Sequence, residues 1–296
     1  MRLLIFGLGY TAERIATALA TKGWHVTGTS RDGRDGTIRF ADTAAVTREM
    51  ALATHILSSV PPADEQDPVL AGYGAQLARS PAWLGYLSST GVYGDAGGAW
   101  VDEHAPIRGR RGARAAADGA WLALGARVFR LPGIYGPGRS ALDRVAEGRA
   151  HRVDLPDQVF SRVHVDDIVG GVLAALDAPP GAYNLSDDEP CGQNEVIAFA
   201  AQLLGLAPPP FVGLETLSPM ARAFYAENRR VANAKAKRVL GWQLRYPNYR
   251  LGLRALSAMT SPIPASTAPD AASSDQRYPS NTVDSSIAMT GVSTPE

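Results

Sequence analysis

The chain has 296 residues, 45% of them hydrophobic and 20% charged, enough for one large domain or two small ones around a full core. Lysine plus arginine and aspartate plus glutamate each number 29, so no net field draws the molecule to nucleic acid or to an anionic membrane. A single cysteine, Cys191, rules out an internal disulfide, and five scattered histidines form no zinc-binding pattern, so no metal is expected.

From the amino terminus, residues 2–6 are an apolar run that reads as a buried strand and is too short for a signal peptide. A glycine turn follows, then a helical pattern over residues 10–21. Residues 24–29 read as the second strand and residues 36–40 as a weak third. The run at 54–60 is a strand stopped by Pro61-Pro62, residues 67–79 are helical, and residues 83–88 form the next strand. A helix over 110–124 leads into a strand over 126–131. Strands alternating with helices of about 10–15 residues imply a parallel sheet with right-handed crossovers, a doubly wound α/β fold of Rossmann type. Past Pro132 the alternation loosens, which predicts a smaller lobe over the carboxyl ends of the strands. The expected organisation is a Rossmann core over 1–132, a substrate lobe over 133–256 that partly completes it, and a disordered tail over 257–296. Of the 37 residues from Thr260 to the end, 18 are Ser, Thr or Pro, leaving too little apolar surface to offset the entropy of ordering. No run approaches the roughly 20 apolar residues that span a bilayer, and a soluble cytoplasmic protein is expected.

The sharpest local signal is Gly7-Leu8-Gly9-Tyr10-Thr11-Ala12, a G-x-G-x-x-A loop between the first strand and the first helix. The first glycine permits the tight turn, the second lets a pyrophosphate approach the backbone, and the small Ala12 lets the helix pack on the strand with its amides toward the phosphates. The second strand ends Gly28-Thr29-Ser30-Arg31, with no carboxylate at its tip to accept from ribose hydroxyls. Ser30 and Arg31 suit a 2′-phosphate, so NADP is preferred over NAD. Asp42 is a candidate partner for the adenine amine.

Further stretches follow in order: Leu87-Ser88-Ser89-Thr90-Gly91-Val92-Tyr93-Gly94, Phe129-Arg130-Leu131-Pro132-Gly133-Ile134-Tyr135-Gly136, Arg162-Val163-His164-Val165-Asp166-Asp167 and Tyr183-Asn184-Leu185-Ser186-Asp187. With the glycine loop they span residues 1 to about 256 and resemble the extended branch of the short-chain dehydrogenase/reductase superfamily, the NAD-dependent epimerase/dehydratase type. The resemblance implies an NAD(P)-dependent oxidoreductase or epimerase/dehydratase acting on a small hydroxylated, phosphorylated or nucleotide-linked substrate. It places Gly7, Gly9, Tyr10, Thr11, Ser30, Arg31, Ser59, Val60, Pro61, Ser88, Pro132 and Ile134 at the cofactor. Ser89 or Thr90 would hydrogen-bond the reacting oxygen, with Tyr93 close by; Tyr135 and Arg230 would border the substrate. A homodimer built on the Ala-rich helix near residues 115–124 is also implied.

One departure stands out. The superfamily lowers a tyrosine pKa with a lysine four residues later, so that the phenol exchanges a proton as hydride moves. None of the ten tyrosines here is followed by lysine at that spacing; counting back from Asp118, the two positions are Arg110 and Arg114. Arginine holds its proton near neutrality and cannot replace the phenol. Arg108, Arg110, Arg111 and Arg114 set positive charge against a helix's positive dipole end, which suggests an anionic cofactor or substrate group there; a solvated basic helix start explains the same residues. The missing pair also leaves open a non-catalytic NADP(H) sensor or partner-docking module. His104 reads as a residue of a polar surface loop, one aspartate of Asp166-Asp167 as a helix cap, and Cys191 as inert.

Overall fold

The computed structural model describes residues 1–63 and 65–260, and the side chains of Met220 and Thr260 are not described. The strands are β1 (Arg2–Phe6), β2 (His25–Ser30), β3 (Ile38–Arg39), β4 (His55–Ser58), β5 (Trp83–Ser89), β6 (Trp100–Val101), β7 (Arg127–Leu131), β8 (Gly133–Tyr135), β9 (Arg152–Val153), β10 (Arg162–His164), β11 (Gly181–Asn184), β12 (Phe211–Val212) and β13 (Arg230–Val231). The helices are α1 (Tyr10–Ala20), α2 (Thr43–Leu52), α3 (Pro68–Leu77), α4 (Gly112–Ala123), α5 (Ala141–Ala146), α6 (Val165–Ala174), α7 (Gln193–Leu203), α8 (Pro219–Tyr225), α9 (Ala234–Leu240) and α10 (Tyr249–Thr260).

Seven strands form one parallel sheet in the order β11-β7-β5-β4-β1-β2-β3. This is the doubly wound arrangement expected from the alternation of strands and helices. The chain reverses its direction of growth on either side of β1, which opens a crevice at the carboxyl ends of β1 and β4. Burial on both faces explains why β1 and β4 are nearly continuous apolar runs. On one face Ala12, Ile15 and Leu19 of α1 pack with Ile168 and Val172 of α6 and with Trp242. On the other, Val46, Met50, Val69, Tyr73, Ala117 and Trp121 of α2, α3 and α4 close the sandwich. Asp67 caps α3 through the amides of Val69 and Leu70, and its second oxygen accepts from Trp121 Nε1 at 2.9 Å, fastening α3 to α4.

α2 is absent from the sequence reading. Only Val46 and Met50 of its ten residues are buried, so its apolar stripe is too thin to register as a period. Asp42 caps it, accepting from the Ala45 amide at 3.0 Å, rather than standing free for an adenine.

The carboxyl-terminal half adds three two-stranded parallel pieces, β8 with β10, β9 with β12 and β6 with β13, and a helical cluster of α5, α7 and α10 around Leu142, Val145, Ile197 and Leu253. It also supplies β11 to the central sheet, so the two halves share one layer. Residues 257–260, expected to belong to the tail, instead continue α10, whose inner face buries Leu253 and Leu256. The rest of that expected tail lies outside the described residues. No described helix is long and apolar enough to cross a membrane.

Candidate functional site

Every segment singled out for the cofactor ends at the carboxyl edge of the sheet. Gly7 follows β1 with φ +80°, and a Cβ there would lie 2.8 Å from Val60 Cγ2, so both backbone conformation and space demand glycine. Its amide donates to Thr29 Oγ1 at 3.1 Å, and its carbonyl accepts from the Ser59 hydroxyl, which ties β1, β2 and β4 together at one point. Gly9 is the N-cap of α1 and provides no side-chain cap. A Cβ on Gly9 would meet nothing within 4 Å, so the first-turn amides beyond it face open space where a helix dipole favours an anion. Thr11 is buried against the core; Tyr10 reaches across to the later half, its hydroxyl donating to Pro137 O at 3.1 Å while Arg14 lies over its ring. Val60 closes on Gly7, and Pro61 is exposed just beyond.

At the tip of β2 the geometry changes two assignments. The Ser30 hydroxyl turns into its own loop, accepting from the Gly33 and Arg34 amides at 2.8 and 3.2 Å and donating to Asp32 at 3.1 Å, so it is a loop staple and not a free ligand. Arg31 is exposed. Arg39, which the sequence reading passed over, pairs in register with Ser30 on β3 and is also exposed. Neither arginine has an ion pair with a described residue.

The catalytic candidates separate. Ser89 caps the turn Thr90–Tyr93 through the Gly91 amide at 3.1 Å, and Ser89 and Thr90 both line a large cavity. Ser88 does not: its hydroxyl donates to Asp118 Oδ2 at 2.7 Å beneath that cavity. Tyr93 is corrected from catalytic candidate to buried strut. It is 2% exposed, donates to Asn184 Oδ1 at 2.7 Å and accepts from Arg130 Nη1 at 3.0 Å. Burial raises its pKa despite the Arg130 cation, the reverse of an activated phenol. Arg130 in turn forks onto Asp118 at 2.7 and 3.1 Å, an ion pair buried on both sides.

The cavity measures about 730 Å³ and is framed by the ends of β5 and β7, the loop before α4, and the segment that carries α8. Pro132 and Gly133 stand in its wall; Ile134 and Tyr135 belong to an adjoining cavity of about 470 Å³, where the buried Tyr135 ring packs edge-on against His164. Five arginines face the larger cavity: Arg110, Arg111, Arg114, Arg144 and Arg229. Arg110 precedes the helix instead of sharing a face of it with Arg114, because α4 begins at Gly112. Both nonetheless reach the cavity. Arg110 donates to Glu227 Oε1 at 3.0 Å and to Ala223 O at 2.6 Å, and Arg229 donates to Glu227 Oε2 at 2.7 Å. Burial alone would raise the Glu227 carboxyl, but these two guanidinium groups hold it below its ordinary value. Arg230, the arginine expected at the substrate, bonds Gly98 O on the far side; successive side chains of an extended strand point to opposite faces, and Arg229 is the one turned inward.

Other expected features resolve as architecture. The cap of α6 is His164, whose Nδ1 accepts from the Asp166 amide at 3.1 Å, and neither aspartate fills that role. Asp167 accepts from the Arg245 and Tyr246 amides at 2.6 and 3.1 Å and so staples α6 to the last loop. Burial lowers the His164 pKa to about 4 and raises that of Cys191 to about 11, which leaves both uncharged near neutrality. His104 is exposed beside Asp102. Among the described residues no group of three or more His, Cys, Asp or Glu side chains is placed to hold a metal ion. Sequence reading missed Arg39, Arg144, Phe160 and Phe224; only Arg39, next to the tip of the second strand, had a local signal.

No family model matches the chain. A functionally unknown conserved protein from Silicibacter pomeroyi DSS is 44% identical, with a TM-score of 0.78 over 87% of this chain and 98% of that one. The Escherichia coli K12 protein YeeZ is 27% identical over 283 residues, 83% of this chain and 97% of its own length. A 3-diazoavenalumate denitrifying reductase from Streptomyces is 33% identical over 142 residues, 44% of this chain and only 46% of that protein. Among solved structures, MoeE5 in complex with UDP-glucuronic acid and NAD has a TM-score of 0.71 at 20% identity, over 88% of this chain and 99% of that one.

Proposed function

We propose, for a chain that belongs to one family with the Silicibacter pomeroyi protein and to the extended short-chain dehydrogenase/reductase superfamily, an NAD(P)(H)-dependent oxidoreductase or epimerase/dehydratase-like activity on a small anionic substrate. The observation that carries this reading is the uncapped start of α1 behind Gly7 and Gly9, which opens at the switch point of the sheet; the arginine-lined cavity with Ser89, Thr90 and Pro132 in its wall supplies room for a substrate. The residues fit a dinucleotide. The α1 amides would take the pyrophosphate, Val60 and Pro61 would border the adenosine half, and Thr90 and Pro132 the nicotinamide end. NADP is the preferred form, because Arg31 and Arg39 flank the tip of β2 while the nearby Asp32 carboxylate is tied to Ser30.

When bound, such a cofactor supplies or accepts hydride. The side chains of this protein then have to bind the substrate, orient it and handle a proton. Arg111 and Arg114 line the cavity with Ser89 and can neutralise substrate charge there. The Tyr225 phenol, which lines the same cavity, keeps its proton through neutrality because burial raises its pKa against the pull of Arg144 and Arg162. Self-association through the exposed small residues Ala116, Gly119, Ala120 and Ala123 of α4 belongs to the same proposal.

Titration of the full chain with NADPH and with NADH, followed by nicotinamide fluorescence and calorimetry, tests the reading. Saturable binding is expected, with NADPH the tighter; no binding of either nucleotide overturns it. The lack of a Tyr-x-x-x-Lys pair favours a second reading, a sensor of the NADP(H) pool. Tight binding without hydride transfer to any carbonyl compound in a turnover screen would select it.

A further inference from the structure

Two features of the larger cavity bear on what it holds. The first is an aromatic platform. Phe160, at the lobe's inner edge, and Phe224, on α8, stack with ring centroids 4.4 Å apart and planes 8° from parallel, and Tyr225 stands at right angles to Phe160. Phe160 is buried, but Phe224 is 53% exposed, and both cavities include it in their walls. The second is unspent charge. Arg110 and Arg229 are neutralised by Glu227, the one carboxylate in the larger cavity's wall among the described residues, whereas Arg111, Arg114 and Arg144 make no ion pair or side-chain hydrogen bond with any described residue. Arg144 lines both cavities, as the Phe160–Phe224 pair does, so a free guanidinium shares both walls with the aromatic stack.

We infer that this cavity binds a flat conjugated carboxylate, an aromatic or enoic acid laid against Phe224 with its charge on Arg144. The inference rests on reading the cavity as the substrate chamber of the dinucleotide site. A planar guanidinium takes a carboxylate through two parallel hydrogen bonds, and a phenyl face prefers a stacked or edge-on π system. Bare inorganic anions would use the arginines and leave Phe224 without a role. In a nucleoside diphosphate a ribose separates ring from charge, whereas here cation and ring line the same two cavity walls.

Calorimetric titration of the full chain with trans-cinnamate, inorganic phosphate and UDP, each with and without NADPH, tests the assignment. Cinnamate is expected to saturate one site at least about tenfold more tightly than either phosphate or UDP. Phe224→Leu, which keeps bulk and loses the π face, and Arg144→Gln should each weaken cinnamate by about tenfold and leave the thermal midpoint and NADPH affinity unchanged. Equal or tighter binding of phosphate or UDP in competition with cinnamate overturns the inference, as does undiminished cinnamate affinity in Phe224→Leu. Failure of NADPH to bind is read separately. It removes the dinucleotide reading, while the cinnamate titration without nucleotide still decides what the cavity holds.

Discussion

The crevice behind β1 and the chamber beneath α8 are built from different materials. The crevice is made of main chain: a glycine at positive φ, uncapped helix amides and a carbonyl held by Ser59. The chamber is made of side chains, with guanidinium groups from the loop before α4, from α5 and from the strand edge at Arg229. Backbone geometry has no substitute when one atom is displaced, whereas several arginines share the electrostatic task. Damage to the first should therefore be all-or-none, and damage to the second graded.

The buried Asp118–Arg130 pair, which holds Ser88 next to the chamber's Ser89, offers the largest effect to test. Arg130→Met leaves Asp118 buried and uncompensated, for which about 3–5 kcal/mol of stability is expected to be lost. Urea denaturation would read it, and a loss below about 1 kcal/mol would mean that the buried pair does not hold the ends of β5 and β7 together. Next comes a paired measurement. Gly7→Val should lower NADPH affinity by about a hundredfold or more, since the side chain meets Val60 and a strained φ together, while Arg111→Ala should lower anion affinity only about two- to fivefold. Comparable losses at both positions would erase the distinction. The smallest effect is a slope with pH. Burial pushes the Asp187 carboxyl up to about 8, against about 3.9 in an unfolded chain. Over the intervening range the folded form holds a proton that the unfolded chain lacks, so this group's contribution to stability falls as pH rises toward 8. Melting curves of Asp187→Asn against the parent should show the variant gaining relative stability between pH 6 and 8; parallel curves would place the titration elsewhere.

The same contrast explains what the sequence could disclose. The strands of the central sheet, the glycine loop and the parallel doubly wound class depend on local periodicity and on contiguous residues, and these are legible from Arg2 to Leu131, whereas the order of the strands comes from the structure. The missing Tyr-x-x-x-Lys pair is equally plain. Side-chain direction is not. Ser30 and Arg31 look alike as phosphate ligands until the hydroxyl folds into its own loop, and Arg229 and Arg230 differ only in which way an extended strand turns them. His164 displaces the aspartates as a cap because its Nδ1 meets the Asp166 amide, a matter of rotamer and not of composition. Phe160 and Phe224 come together from either side of β10, α6, β11, α7 and β12, with no spacing rule to announce them. Arg110 and Arg114 both reach the cavity although α4 begins only at Gly112, so that Arg110 does so from the preceding loop.

The placement of β11 bears on how the polypeptide can be cut or made. This strand hydrogen-bonds along β7, and its Asn184 receives the Tyr93 hydroxyl, so the amino-terminal half reaches its native edge only after residue 184 has been synthesised. A fragment ending at 132 would present the unpaired ladder of β7 to solvent, an invitation to intermolecular strand addition. Expression trials that dissect this protein should keep the later segment in the same translation product, because ribosome-bound intermediates shorter than that lack the strand that closes the sheet.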